Sequence, residues 1–320
     1  MQPGRTAISQ FVRAARPLAH GMIALPLLWG QAVALVVTGR FEWSAFVAIH
    51  LFGVFCQIYI LYLNDVADEA VDRGGDGTWL SGGSRVIPEG GLSGAQLFRA
   101  AFLALAGMVL VSLVCAGFFD RPWMLVLGAL AAAAGWTYSL APLKSSYRGT
   151  GEIHQALSCG VLLPLIAFYL QCGALAIFPW ALLIPVVLIF HAGSLVTALP
   201  DVAADRRGGK LTFAVRHGES RTVRLVAFLL LLAYLSALAL SRDGVSWPWM
   251  VVLVCGPALA LLLLTVPTIR NPARVMQGMS GRLKFASITT ASQAWMLAAW
   301  TSVLFWHGLH RHSLSALHVG

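Results

Sequence analysis

The chain has 320 residues, 58% of them hydrophobic and only 11% charged, with a net charge of +9 and a mean hydropathy of +0.76. A soluble domain of this length is nearer half apolar and a quarter charged, so the composition excludes an ordinary water-soluble enzyme and points to an integral membrane protein. The positive balance calls for no nucleic acid, because Lys and Arg gather on the cytoplasmic side of membrane proteins; the expected partner is the lipid bilayer.

In chain order, the stretches free of Asp, Glu, Lys and Arg run 17–39, 43–64, 100–119, 122–143, 153–200, 225–241, 244–269 and 285–310. About 20 apolar residues cross a bilayer as a helix. Seven stretches suit one crossing each, with 225–241 at the short limit. The 153–200 run suits two, turning near Cys172-Gly173 and Pro179. The expectation is an all-α membrane protein of nine transmembrane helices in a single domain, 1–320. No stretch shows the alternation a barrel would need. The first run has no small-residue cleavage site and is long enough to span, so no cleavable signal is expected.

Charge sets the orientation. With the N-terminus in the cytoplasm, all but four of the 22 Lys and Arg lie in cytoplasmic segments, the exceptions being Arg40, Arg121, Arg242 and Arg311. The positive-inside rule then sets this orientation, and the expected location is a bacterial inner (plasma) membrane. The five cysteines sit in apolar runs without metal-ligand spacing and read as small core residues. The nine histidines are scattered; His307, His310, His312 and His318 fall in the last segment and read as a solvated tail, while His50 and His191 read as structural.

The 43–64 run ends in "IYILYLNDVADEAVDRGG", residues 58–75. Asp65, Asp68 and Asp72 follow at i, i+3 and i+7, a spacing that puts them on one helical face. Carboxylates crowded against a low dielectric raise one another's pKa, a costly arrangement unless a cation neutralises it. Oxygen ligands of this kind suit Mg²⁺, which commonly takes one or two carboxylates plus phosphate oxygens. After the 153–200 run, "LPDVAADRRGGK" (199–210) adds Asp201 and Asp205. Asp65-Val-Ala-Asp68 before Arg73-Gly-Gly resembles Asp201-Val-Ala-Ala-Asp205 before Arg207-Gly-Gly, an offset of 136 residues. Two related halves, about 17–143 and 153–269, plus a ninth helix at 285–310, are the expectation. Facing acid clusters make a cage for a pair of metal ions that clamps a phosphate or diphosphate. Arg73, Arg85, Lys144, Arg148, Arg206, Arg207 and Lys210 share these loops and supply cationic partners.

Two further loops belong to this side. In "GGDGTWLSGGSRVIPEGGLS" (74–93) glycines allow backbone to approach an anion, and Trp79, Val86 and Ile87 read as a lid over a dry site. "GWTYSLAPLKSSYRGTGEIHQ" (135–155) brings Tyr138, Ser139 and Lys144 to the membrane edge.

Together these motifs resemble the UbiA superfamily of intramembrane prenyltransferases. The resemblance rests on N-D-x-x-D-x-x-x-D at Asn64–Asp72, D-x-x-x-D at Asp201–Asp205, "SRVIPEG" and "YSLAPLK"; it spans about residues 13–305, and nine helices suit that fold. "YRGTGE" (147–152) and "DRRGGKLTFAVRHG" (205–218) look most like the branch that makes menaquinone from dihydroxynaphthoate. The resemblance implies that Asp65, Asp68, Asp72, Asp201 and Asp205 bind Mg²⁺, in two ions, and through it an isoprenyl diphosphate. It implies that Asn64, Arg85, Lys144 and Lys210 help hold the diphosphate, that Tyr138 and Ser139 lie near the reacting end, and that Arg16 of "ARPLAH" is the family's basic residue at the start of the first helix. Pro200 departs from the family pattern and is expected to end the helix near Leu199.

The implied reaction joins an isoprenyl group to a hydrophobic or aromatic acceptor, a quinone precursor, with Phe55, Tyr59, Tyr62, Trp136, Tyr138 and Tyr169 as candidate faces for an allylic cation. A terpene cyclase could use the same ionisation. A CDP-alcohol phosphotransferase would need a D-G-x-x-A-R element that "DVADEAVDR" lacks. A transporter would be expected to carry ionisable groups at mid-membrane, where these runs have no Asp, Glu, Lys or Arg.

Overall fold

The computed structural model describes residues 6–74, 78, 82–241, 247–275 and 278–317, with side chains for all of these but 247, 274, 275 and 311–317. Trp79, Arg242, Asp243 and the side chains of Arg311, His312 and His318 fall outside the described residues. The described residues form helices joined by turns and loops, without a strand. The elements are α1 (Ala7–Ala14), α2 (Gly21–Thr38), α3 (Trp43–Ala67), α4 (Glu69–Arg73), α5 (Gly94–Phe118), α6 (Trp123–Ser139), α7 (Gly151–Cys172), α8 (Trp180–Thr197), α9 (Val202–Arg207), α10 (Phe213–His217), α11 (Glu219–Leu240), α12 (Met250–Leu263), α13 (Val266–Arg270), α14 (Pro272–Val275) and α15 (Met279–Leu317).

Each apolar run of the sequence carries a helix. Six helices are long and apolar enough to cross a membrane: Ala7–Thr38 as one body, α3, α5, α7, α8 and α11. The apolar helices α6 and α12 are shorter, and α15 runs 39 residues. The 153–200 run divides where expected. Gly173 caps α7 in the left-handed conformation at φ 76°, and Pro179 precedes the next helical turn.

The bundle is wrapped inside out relative to a soluble protein. On α5 only 33% of the most apolar window is buried, and Leu103, Leu110 and Phe118 face outward as a surface fit for lipid tails. Inside, α2 lies between α7 and α15, α3 packs on α5 and α6, and α8 packs on α7, α11 and α15. Trp29 of α2 meets Trp300 of α15 edge-on at 5.4 Å. Gly30 lets α2 approach α7, since a Cβ there would overlap the Pro164 carbonyl oxygen; small residues permit such crossings where no hydrophobic force drives helices together.

The cysteines follow expectation: Cys56, Cys115, Cys159 and Cys255 are buried, Cys172 is half-buried, and all are free thiols. His50 meets Gln31 at 3.1 Å, and Gln31 in turn accepts from Gln171, a polar tie linking α2, α3 and α7.

Two loop expectations are corrected. Val86 and Ile87 are not a lid: they are 0% and 7% exposed and belong to the core. The three acids at 65–72 do not share one regular helix, because α3 ends at Ala67 and Asp68 stands between it and α4, at φ −95° and ψ 4°.

Candidate functional site

All the acid motifs lie at one end of the bundle, and the break at Asp68 shows how they correspond. Asp68 caps α4, and the Asp72 N–H donates to the Asp68 carbonyl at 2.8 Å. Asp201 caps α9, and the Asp205 N–H donates to the Asp201 carbonyl at 2.8 Å. Gly74 and Gly208 close the two short helices. Structurally, therefore, Asp68 and Asp72 match Asp201 and Asp205. The Asp-Val-Ala likeness, which aligned Asp65 with Asp201, is out by three residues. Pro200 behaves as expected: α8 stops at Thr197, and Asp201 opens a new helix.

Asp68, Asp72, Asp201 and Asp205 line one polar cavity, together with Arg16, Asn64, Arg85, Tyr138, Glu152 and Lys210. The Lys210 ammonium donates to Asp68 Oδ2 at 2.8 Å, and Asn64 Nδ2 donates to the same oxygen at 3.1 Å. Arg85 reaches the Asp72 carbonyl at 2.9 Å. Gly83, at φ +70°, passes so close to Asp72 that a Cβ there would overlap its carboxylate. The glycine-rich loop thus presses backbone onto an acid.

Asp65 is used differently. It is 3% exposed and does not line the cavity. It is ion-paired with Arg16 and accepts from both the backbone and the hydroxyl of Ser84. Arg16 sits in a left-handed turn, φ 44° and ψ 68°, which Gln57 steadies by donating to the carbonyls of Ala15 and Arg16. Asp65 therefore joins α3 to the segment before α2 and to the 82–91 loop.

Burial first, then Asp68 and Asp65, push the Asp72 carboxyl up to about 7. Asp205 is likewise pushed up to about 7, by burial and then by Asp201 and Asp68 against the opposing pull of Lys210. Burial alone would lower the Lys210 pKa, but Asp68 and Asp205 outweigh it and hold the ammonium charged. Asp68 Oδ1 is buried without a partner. Crowded carboxylates, two of them raised to about 7, and an orphaned acceptor oxygen are donors of the kind that divalent cations take. Among the described residues no three His, Cys, Asp or Glu side chains stand close enough to hold an ion alone. An ion here needs oxygens from a ligand as well.

Two expected residues lie elsewhere. Ser139 is 0% exposed and lines neither this cavity nor the next one, because it falls on the side of α6 turned into the protein. Lys144 lies over the Tyr147 ring at 3.6 Å and also stays off the cavity wall. Three residues carry weight that sequence reasoning did not assign. Tyr147 sits under Lys144 and 5.6 Å from Lys210, with its hydroxyl donating to Ala67. Ser84 binds Asp65. Glu152, 7% exposed, accepts from the Phe213 N–H at 2.6 Å and so fixes the segment after Lys210. Glu152 carried a signal, being an acid at the start of an otherwise uncharged run; Ser84 and Tyr147 carried none beyond their motifs.

The polar cavity adjoins an apolar one. The second is walled by Met22, Ile23, Ile60, Leu61, Leu162 and Leu163 among others, and the two share Arg16, Asn64, Tyr138 and Gln155. Part of its wall is the π-turn Ser158–Leu162 of α7, a distortion frequent at functional sites. Of the six aromatic residues expected to face a cation, only Tyr138 lines these cavities. The hydroxyls of Tyr59 and Tyr62 and the indole of Trp136 donate to backbone carbonyls.

Comparison with known proteins agrees with this geometry. Residues 23–288 match the UbiA prenyltransferase family. The chain is 28% identical over 257 residues, 80% of its length and 85% of the relative's, to a 1,4-dihydroxy-2-naphthoate octaprenyltransferase of Mycobacterium tuberculosis. It is 24% identical over 229 residues, 71% of its length and 72% of the relative's, to the protein of that name from Bacillus subtilis. A UbiA homolog from Archaeoglobus fulgidus, solved bound to DMAPP and Mg²⁺, superposes with a TM-score of 0.64 at 17% identity, covering 89% of this chain and 99% of that one.

Proposed function

This chain belongs to the UbiA prenyltransferase family, and from that membership we propose that it transfers an isoprenyl group from a prenyl diphosphate to a ring carbon of a hydroxyaromatic acceptor of the quinone-precursor class. One observation carries the reading: two matched acid-bearing helix breaks line a polar cavity that shares four wall residues with a neighbouring apolar one. A diphosphate ester with a hydrocarbon tail has that same two-part character. The relatives named for 1,4-dihydroxy-2-naphthoate support the acceptor class.

In this reading Asp68 and Asp72 hold one Mg²⁺ and Asp201 and Asp205 a second. The ions supply Lewis-acid neutralisation of the charge that gathers on the leaving diphosphate. Lys210 and Arg85 add direct cationic contacts at the cavity wall. Asn64 keeps Asp68 aimed by donating to Oδ2. The prenyl chain lies along Ile60, Leu61, Leu162 and Leu163, where water is excluded. Tyr138 stands at the junction, its ring available to the allylic carbon as the carbon–oxygen bond breaks. The acceptor ring attacks that carbon and gives up a proton, or CO₂ where the attacked carbon bears a carboxylate.

The test is product mass. With geranyl diphosphate and Mg²⁺, diphosphate release is expected to stay slow until 1,4-dihydroxy-2-naphthoate is added. The product then carries both partners less diphosphate, and less CO₂ as well where the carboxylate-bearing carbon is the one attacked. Rapid acceptor-free release that yields a terpene hydrocarbon or alcohol would replace transfer by cyclisation.

The orientation is part of the proposal. With the N-terminus cytoplasmic, nine crossings bring both acid motifs to the cytoplasmic face of a bacterial plasma membrane. The support is the Lys and Arg asymmetry. Single cysteines at the exposed positions Ala70 and Ala203, in a cysteine-free background, are expected to label only from the cytoplasm, and one at Ser44 only from outside. Labelling of Ala70 from outside reverses the orientation.

A further inference from the structure

The stretches of α3 and α7 that line the apolar cavity have the same build. On α3 the lining residues are Cys56, Gln57, Ile60, Leu61 and Asn64; on α7 they are His154, Gln155, Ser158, Cys159, Leu162 and Leu163. Each set contains a run at i, i+3, i+4 and i+7 that starts from a glutamine, Gln57 or Gln155, one stripe of a helix. Most of the nitrogen- and oxygen-bearing side chains on this wall are already committed within the protein. Gln57 binds the carbonyls of Ala15 and Arg16 and meets His20. Asn64 binds Asp68, Arg16 binds Asp65, His154 meets Ser145, and the Ser158 hydroxyl donates to the His154 carbonyl.

Gln155 is different. It lines both cavities, so it sits at their junction, and no hydrogen bond of its carboxamide occurs among the described residues. A carboxamide costs free energy wherever apolar surroundings deny it partners. On the wall of the apolar cavity the one full charge is Arg16, itself ion-paired. The surface that Gln155 offers is therefore neutral, with one acceptor and two donors. It suits a hydroxyl better than a carboxylate, which would seek a cation.

We propose that Gln155 is the acceptor-recognition residue: its carboxamide hydrogen-bonds a ring hydroxyl of the aromatic acceptor and turns the adjacent ring carbon toward the junction where the prenyl carbon lies. This rests on the transferase reading above. It adds a specificity-determining contact on α7, at the junction of the two cavities.

The experiment uses the full-length purified protein in detergent or nanodiscs, with geranyl diphosphate, 1,4-dihydroxy-2-naphthoate and the O-methyl ethers of that acceptor. Gln155→Met keeps the length and removes the hydrogen bonds. It is expected to raise the KM for the acceptor about 10- to 100-fold and leave the KM for geranyl diphosphate unchanged. The wild type is expected to discriminate by the same factor against the ether that blocks the recognised hydroxyl, and Gln155→Met to have lost that discrimination. Should Gln155→Met fail to insert, Gln155→Asn, which keeps the amide one methylene short, reads the same selective shift. Retained discrimination in the variant, or a rise in the KM for the diphosphate instead, overturns the assignment. A wild type that forms no acceptor-dependent product overturns the transferase reading and this inference with it. A wild type that transfers normally, beside a variant with unchanged acceptor KM, overturns this inference alone.

Discussion

Asp72→Asn and Asp205→Asn are each expected to lower turnover ~100- to 1,000-fold, the usual loss when one preorganised electrostatic group leaves a site, while the protein becomes no less stable without metal. The two effects diverge because of the sign of the pKa shifts. Both carboxyls are raised from the ordinary carboxylate range to about 7 in the folded protein. A folded state that binds protons more tightly than the unfolded chain loses stability as pH rises from the unfolded pKa through the folded one. The loss is complete above about pH 7, where both groups are ionised and crowded. Asparagine escapes it, so at pH 8 in EDTA each variant is expected to melt at or above the wild type, with the gap narrowing toward pH 5. A bound divalent cation offsets the same repulsion. Mg²⁺ is therefore expected to raise the wild-type melting temperature more at pH 8 than at pH 6, where protons compete for the ligands. Chelation should abolish transfer and Mg²⁺ restore it. Turnover that persists in EDTA, or an Asp72→Asn enzyme of normal activity, would remove the metal from the reading.

Gly83→Ala is expected to cost about 100-fold in activity without unfolding the bundle. An added Cβ would overlap the Asp72 carboxylate, and the backbone there has φ +70°, which side chains resist. Either Asp72 swings away or the 82–91 loop lifts. A displacement of about 1 Å at such a site is worth about 10²-fold. Gly90→Ala is the matched control. Its φ is +72°, but nothing lies within 4 Å of the new Cβ, so it carries the conformational strain alone. The Mg²⁺ concentration for half-maximal activity is expected to rise in Gly83→Ala and to stay put in Gly90→Ala. Equal behaviour of the two would mean that the approach of Gly83 to Asp72 does not matter to the site.

Much of this protein was legible from local pattern. Hydropathy marked the helices because a segment in lipid must satisfy its own backbone, and an uncharged run announces that within one stretch of chain. The division at Cys172-Gly173 was legible for a similar reason, glycine being the residue that ends a helix in the left-handed conformation. The spacing of the aspartates, with an asparagine before them and arginine and glycine after, was enough to suggest a metal-held diphosphate.

Tertiary structure decided the rest. The likeness of the two Asp-Val-Ala segments aligned Asp65 with Asp201, but register in space follows the helix breaks, and these pair Asp68 with Asp201. Nothing local separated Asp65 from its neighbours. Its partners Arg16 and Ser84 are 49 and 19 residues away in sequence, and only the packing of α3 against the segment before α2 brings them together. Val86 and Ile87 looked like a cover because apolar residues in a glycine-rich loop give no sign of which side they will meet. Lys144 carried the charge expected of a diphosphate ligand, yet the turn after α6 lays it on Tyr147. Gln155 was one amide in an uncharged run until α3 and α7 came to line one cavity and every neighbouring polar group but Tyr138 was found to be spoken for. Composition and spacing report what a residue could do; whether its hydrogen bonds are already spent depends on contacts between distant segments, and those exist only once the helices have packed.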